Sequence, residues 1–168
     1  MDEQVRGGTG VETAVLFYKI DKEEVESADY ILWAYSMIEA GFSSPSLFIL
    51  AAFRKDASIF EVEDYFKRAC RELHVNNRPD FAACARAFMK VLADDIAKSE
   101  HPSITFELAS RMFHIVRDLE YPKDLMVWYD ISESIDLLAY DPLHSDMNEA
   151  DLISLIKREA VSYQAGSS

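Results

Sequence analysis

Residues 27–75 read SADYILWAYSMIEAGFSSPSLFILAAFRKDASIFEVEDYFKRACRELHV, and this stretch decides the fold class. Its first part climbs through Ala28-Asp-Tyr-Ile-Leu-Trp-Ala34 to Gly41, a residue able to take the left-handed conformation that closes a helix. Ser44-Pro45 restarts the chain at once, with a capping hydroxyl followed by proline at the first helical position. Ser46 to Phe53 is apolar on nearly every side, which places it in the core. Ser58-Ile-Phe-Glu61 has the form of a capping box. Beyond it Ile59, Val62, Phe66, Ala69/Cys70 and Leu73 recur at three and four residues on one face. Three consecutive helices are expected.

Outward from that stretch the same pattern continues. Residues 1–10 are polar and Gly-rich and are expected to form a flexible N-terminus. Val11 to Ile20 reads as a short helix or an extended arm, and Asp21-Lys-Glu-Glu24 offers an alternative helix start. Pro45, Pro79, Pro102, Pro122 and Pro142 all fall between periodic segments, where a residue without an N–H belongs in a helical protein. Helices are expected over about Pro79–Ser99, Ser103–Leu119, Lys123–Tyr140, either continuous or interrupted near Asp130, and Asn148–Tyr163. Residues 164–168 read as a flexible tail. No segment alternates with the strict period of a strand, and the uneven proline spacing is unlike a regular repeat array. The reading is an all-α chain, a compact irregular bundle of about six to seven helices forming one domain over residues 1–168.

Composition narrows the classes of function. The 168 residues are 49% hydrophobic and 28% charged, the balance of an ordinary globular domain. No run reaches the roughly eighteen apolar residues of a membrane span, and Met1–Gly10 lacks the basic start and apolar core of a signal peptide. Cys70 and Cys84 fall on apolar helix sides and read as small buried hydrophobes in a reducing compartment, which suggests the cytoplasm. The formal net charge is −13. That argues against nucleic acid, whose phosphates need Lys and Arg, and against anionic membrane surfaces. The natural complement is a basic partner.

Recognisable catalytic patterns are missing from the sequence. It has no Gly-rich phosphate loop, HExxH, CxxC or GxSxG. His74, His101, His114 and His144 lie in different segments. Cys70 and His74 are placed to share a helix face, but zinc would need two further ligands. Asp94 and Asp95 are consecutive, so on a helix they diverge by about 100° and do not pair. No catalysis, cofactor or metal is expected. Two other readings stay open, a helical enzyme assembled from dispersed carboxylates and His114, and a generic interaction scaffold.

One segment departs from the usual mixing of charges on a solvated face. Between Lys123 and Lys157 there is no Lys or Arg, while Asp124, Asp130, Glu133, Asp136, Asp141, Asp146, Glu149 and Asp151 all fall there. Elsewhere the signs alternate, as in Glu61-Val-Glu-Asp-Tyr-Phe-Lys-Arg68. The segment also holds Trp128, Tyr129 and Tyr140, and aromatic residues of this kind anchor interfaces. The spacing and glycine of a calcium loop are missing. The partner-binding residues are therefore expected to be Tyr129, Asp130, Glu133, Asp136, Tyr140, Asp141, Asp146 and Glu149.

Three stretches carry a resemblance. They are Gly41-Phe-Ser-Ser-Pro-Ser-Leu-Phe-Ile-Leu-Ala51, Phe60-Glu-Val-Glu-Asp-Tyr-Phe-Lys-Arg-Ala69 with Glu72-Leu73, and Ala93-Asp-Asp-Ile96 leading through Pro102 to Leu119. In these packing and capping signatures the chain resembles small all-helical bacterial proteins of uncharacterised type. In size and acidity it also resembles the immunity proteins that bacteria make beside secreted toxins. What that implies is an inhibitor that binds a basic toxin domain, a nuclease above all. The acids from Asp130 to Glu149 would then act as phosphate mimics and steering charges, with Tyr129 and Tyr140 as anchors.

Overall fold

The computed structural model describes residues 3–75 and 78–166, with side chains from residue 10 onward, and within them the chain is all-α. The helices are α1 (Glu3–Asp21), α2 (Ser27–Glu39), α3 (Pro45–Ala52), α4 (Ile59–Glu72), α5 (Phe81–Lys98), α6 (Pro102–Asp118), α7 (Met126–Tyr140) and α8 (Glu149–Gly166). A 3-10 turn at Lys123–Leu125 leads into α7. Among the described residues there are thus eight α-helices, against the six to seven expected, and no strand. The extra one is α1. It runs as helix from Glu3 through the whole stretch that read as flexible end and ambiguous arm. At the other end α8 continues through residues 164–166 of the expected tail. Residues 1, 2, 167 and 168 lie outside the described residues.

Local chemistry explains most boundaries. Ser44 Oγ accepts from the Leu47 N–H at 3.1 Å, and Pro45 opens α3. Gly41 closes α2 at φ 94°, with the Phe42 N–H reaching back to the Met37 carbonyl at 3.0 Å. The same closure recurs without glycine at Glu23 after α1, His74 after α4 and Glu120 after α6, with φ of 56°, 56° and 62°. Asp21-Lys-Glu-Glu24 is therefore the end of a helix and not a start. The Glu24 N–H bonds the Lys19 carbonyl at 2.9 Å, and α2 begins at Ser27, where the Asp29 carboxylate accepts from the Glu26 N–H at 2.8 Å. The expected capping box at Ser58 does not form. Ser58 precedes α4 but makes no side-chain cap bond, which leaves Glu61 in the first turn to favour the positive helix end.

The chain falls into two compact units. The first holds α1–α4 and the start of α5 up to Ala87; the second runs from Phe88 through α8. In the first, Phe66 from α4 is the hub. Its ring centroid lies 4.9 Å from Trp33, 5.0 Å from Tyr30 and 6.1 Å from Phe17. Leu16, Leu47, Leu50 and Val62 are buried in the same cluster. Each large side chain taken out of water there contributes about 1.5–3 kcal/mol. The indole N–H of Trp33 is satisfied by Thr13 Oγ1 at 3.0 Å, so the polar end of the ring costs little. α3 is not enclosed all round. Ser46, Leu47, Leu50 and Ala51 are buried, but Phe48 and Ile49 are exposed, so the helix buries one face and leaves an apolar one in water.

In the second unit α6, α7 and α8 pack against one another pairwise. Met112, Ile115 and Val116 from α6, Trp128 and Ile131 from α7, and Leu152, Ile156 and Ala160 from α8 are buried. α7 runs unbroken through Asp130, where the sequence left an interruption open. Lys157 of α8 donates to the Ser99 carbonyl just after α5, and Gln164 Nε2 reaches Asp94 Oδ1 at 3.4 Å. Among the described residues no helix is long and apolar enough to cross a membrane.

Candidate partner-binding surface

The 3.6-residue period of α7 sorts its side chains into two faces. Trp128 and Ile131 turn inward, while Asp130, Glu133, Asp136, Leu137 and Tyr140 are exposed. Positions 130, 133, 137 and 140 are three and four apart, so they line one outward stripe about 15 Å long. Asp136 sits beside it. Four of the expected site residues, Asp130, Glu133, Asp136 and Tyr140, are thereby brought onto a single helix face. Tyr140 is 87% exposed.

The remaining four sit differently. Tyr129 is half-buried in an aromatic row, its ring centroid 5.9 Å from Phe113 and 6.3 Å from Tyr121, so it helps hold the unit's own packing. Asp141 is half-buried and pairs with His144 Nδ1 at 2.8 Å within the turn closed by the His144 N–H and the Asp141 carbonyl. Asp146 is exposed in the loop. Glu149 opens α8 together with Asp151, where carboxylates favour the positive end of the helix, and Asn148 Oδ1 accepts from the Asp151 N–H at 2.8 Å. Glu149 thus has a reason in the fold as well as a place in the acidic segment.

The electrostatic character of the surface comes from missing counter-charges. Among the described residues none of Asp130, Glu133, Asp136, Asp146 and Glu149 lies within ion-pair distance of a Lys or Arg. Some acids elsewhere are matched, as in Glu63–Lys67 at 3.2 Å, Asp64–Arg68 at 2.8 Å and Asp94–Lys98 at 2.7 Å. Three exposed apolar residues went unselected on sequence grounds: Leu137, Leu143 and Met147. Leu143, at 93% exposure, is the most extreme. Leu143 and Met147 lie in a loop, where no periodicity marks an outward apolar side chain; for Leu137 the signal existed, three residues before Tyr140.

Groups with displaced acidity lie elsewhere, and each has a structural cause. Burial pushes the Cys70 thiol up to about 11 and the Tyr30 phenol up to about 12. Hydrogen bonds from Ser46 hold Glu72 below the usual glutamate range. The hydrogen bond between Asp94 and Lys98 lowers the acid and raises the base. His114 is exposed on α6 with its ring 6.0 Å from Phe113, and no carboxylate among the described residues comes within ion-pair distance of it. Cys70 lies within α4 while His74 sits past its end at positive φ, so the two do not share a helix face. The described residues contain no group of three or more His, Cys, Asp or Glu side chains able to hold a metal. Compared with family models, with curated proteins and with solved structures, the chain matches none.

Proposed function

We propose that this chain is an interaction protein of the immunity type, which binds a basic protein domain, a toxin nuclease above all, and blocks it without catalysing a reaction. The observation that carries the reading is the outward face of α7. Asp130, Glu133 and Asp136 stand there without a base among the described residues, and Tyr140 beside them is 87% exposed. Like charges so arranged repel one another, and a cationic partner relieves that repulsion. An aromatic ring in water at the edge of the acids supplies the apolar area that charge alone lacks. The acids occupy the positions that nucleic-acid phosphates would take on a basic cleft. The cytoplasm is the compartment of this reading, in keeping with the free thiols of Cys70 and Cys84.

The test is binding of the full chain to purified basic nuclease domains, by surface plasmon resonance at several salt concentrations. Association should slow as salt rises, because screening acts over a Debye length of about 8–10 Å. Asp130→Asn, Glu133→Gln and Asp136→Asn together should slow it further. Glu61→Gln, Glu63→Gln and Asp64→Asn together should leave it nearly unchanged. Equal binding by the two triple variants would reject the α7 face as the interface.

A further inference from the structure

The face that α3 turns to water is apolar along its whole length. Ser46, Leu47, Leu50 and Ala51 are buried, which leaves Pro45, Phe48, Ile49 and Ala52 exposed. These positions are i, i+3, i+4 and i+7, so they form one stripe along the two turns of the helix. Phe48 is 51% and Ile49 44% exposed, and no residue of α3 carries a charge. The charges stand at its two ends and differ in sign. At the N-terminal end the Glu72 carboxylate accepts from the Ser46 N–H at 3.0 Å, and exposed Glu39 precedes the short connection from α2. At the C-terminal end Arg54 and Lys55 follow directly, both exposed, and Arg54 pairs with Asp56 at 3.3 Å. Among the described residues neither Lys55 nor Glu39 lies within ion-pair distance of an opposite charge.

We infer that this face pairs with the same face of a second copy of the chain, the two α3 helices running antiparallel about a two-fold axis. With the axis between Phe48 and Ile49, Phe48 of one copy lies over Ile49 of the other, and Pro45 over Ala52, large against large and small against small. In a chain of net charge −13, a face without a carboxylate lets two copies meet without setting acid against acid. The ends select the occupant. Antiparallel order brings Lys55 of each copy to the end of the other that carries Glu39 and Glu72, so the two-fold satisfies the same attraction twice. A uniformly basic or uniformly acidic partner would match one end and be repelled at the other. Area sets the strength. The stripe offers about 300 Å² from each copy, against roughly 800 Å² per partner in a standard interface, so the dimer is a weak and transient one. The inference does not rest on the α7 face, which lies in the other unit.

The test is sedimentation equilibrium of the full chain from about 1 µM to about 1 mM, with the amide signals of the wild type followed over the same dilution. The average mass should rise from monomer towards dimer, and the signals that move should be those of residues 45–55. Phe48→Ser, an exposed change that spares the fold, should weaken the dimer about tenfold or more. Leu143→Ser, an exposed change in the other unit, should leave it unchanged. Lys55→Glu should weaken the dimer about tenfold, since each dimer loses two attractions, and adding Glu39→Lys should recover most of that loss. A monomer at every concentration overturns the inference. So does a dimer that Phe48→Ser leaves intact, or one whose dilution shifts fall outside residues 45–55. A dimer that needs Phe48 but gains nothing from Glu39→Lys overturns the two-fold pairing of opposite ends.

Discussion

The Glu72 carboxylate, at the last residue of α4, accepts from both the backbone N–H of Ser46, at 3.0 Å, and the Ser46 hydroxyl. This completes the N-terminus of α3 from a different helix. Pro45 has no N–H to satisfy, Ser46 is taken by Glu72, and the Leu47 N–H is taken by Ser44 Oγ at 3.1 Å. A helix of eight residues has few bonds of its own, so its start depends on these two side chains.

A pH dependence follows. Ser46 holds Glu72 below its ordinary acidity range, so the folded value lies under the unfolded one. The carboxylate's contribution is complete above the unfolded value of about 4.3 and is lost as pH falls through the lower folded value. The melting-temperature gap between wild type and Glu72→Gln should therefore be widest near neutrality and narrow below about pH 4. A gap that stays constant from neutral to acid pH would show that the charge is idle.

Phe66→Ala should cost about 3–5 kcal/mol, because the ring it removes is packed against Trp33, Tyr30 and Phe17. Phe48→Ala, from the exposed face of α3, should cost about 1 kcal/mol or less. Denaturant midpoints of the two variants decide it, and equal losses would contradict the buried hub.

Backbone strain offers a change in the opposite direction. His74 and Glu23 end their helices at φ 56°, a region that glycine occupies at no steric cost. His74→Gly and Glu23→Gly should each stabilise by about 0.5 kcal/mol, the relief of strain being partly offset by a looser unfolded chain. Gly41→Ala, at φ 94°, should destabilise by about 1 kcal/mol or more. Thermal melts of the three variants check the signs.

Neutralising the α7 acids should leave stability unchanged or raise it at low salt, since it removes repulsion and breaks no ion pair. Any gain should vanish near 1 M salt, where the Debye length is about 3 Å. Glu63→Gln with Asp64→Asn breaks pairs to Lys67 and Arg68 and should lose about 0.3–0.5 kcal/mol for each. A loss from the α7 changes as large as that from the α4 changes would mean the acids have partners within the fold.

Helices whose ends carry their own chemistry were legible before the structure. Ser44-Pro45 and Gly41 marked boundaries that the backbone then observed, because a capping oxygen, a missing N–H and a missing Cβ act locally. α1 was not legible. Gly7, Gly8 and Gly10 weaken it intrinsically, and what orders its second half is burial of Ala14, Leu16 and Tyr18, which no local window contains. α3 misled in another way, since an apolar residue at every position hides which face meets the core and left Phe48 and Ile49 unforeseen. In the candidate surface the acids announced themselves by the missing lysines. Tyr129 and Tyr140 looked alike in sequence, and only their neighbours separate a ring packed on Phe113 and Tyr121 from one left in water.

The two thiols have a practical consequence for reporter chemistry. Burial holds the Cys70 thiol up at about 11, so little of it is thiolate at neutral pH, and Cys84 is fully buried with its Sγ 3.6 Å from the Pro79 carbonyl. A cysteine placed at the tip of the loop by Leu143→Cys would titrate near the ordinary value of about 8.5 and meet a maleimide first. The native protein thus accepts one fluorophore at a chosen surface position with both of its own cysteines left in place.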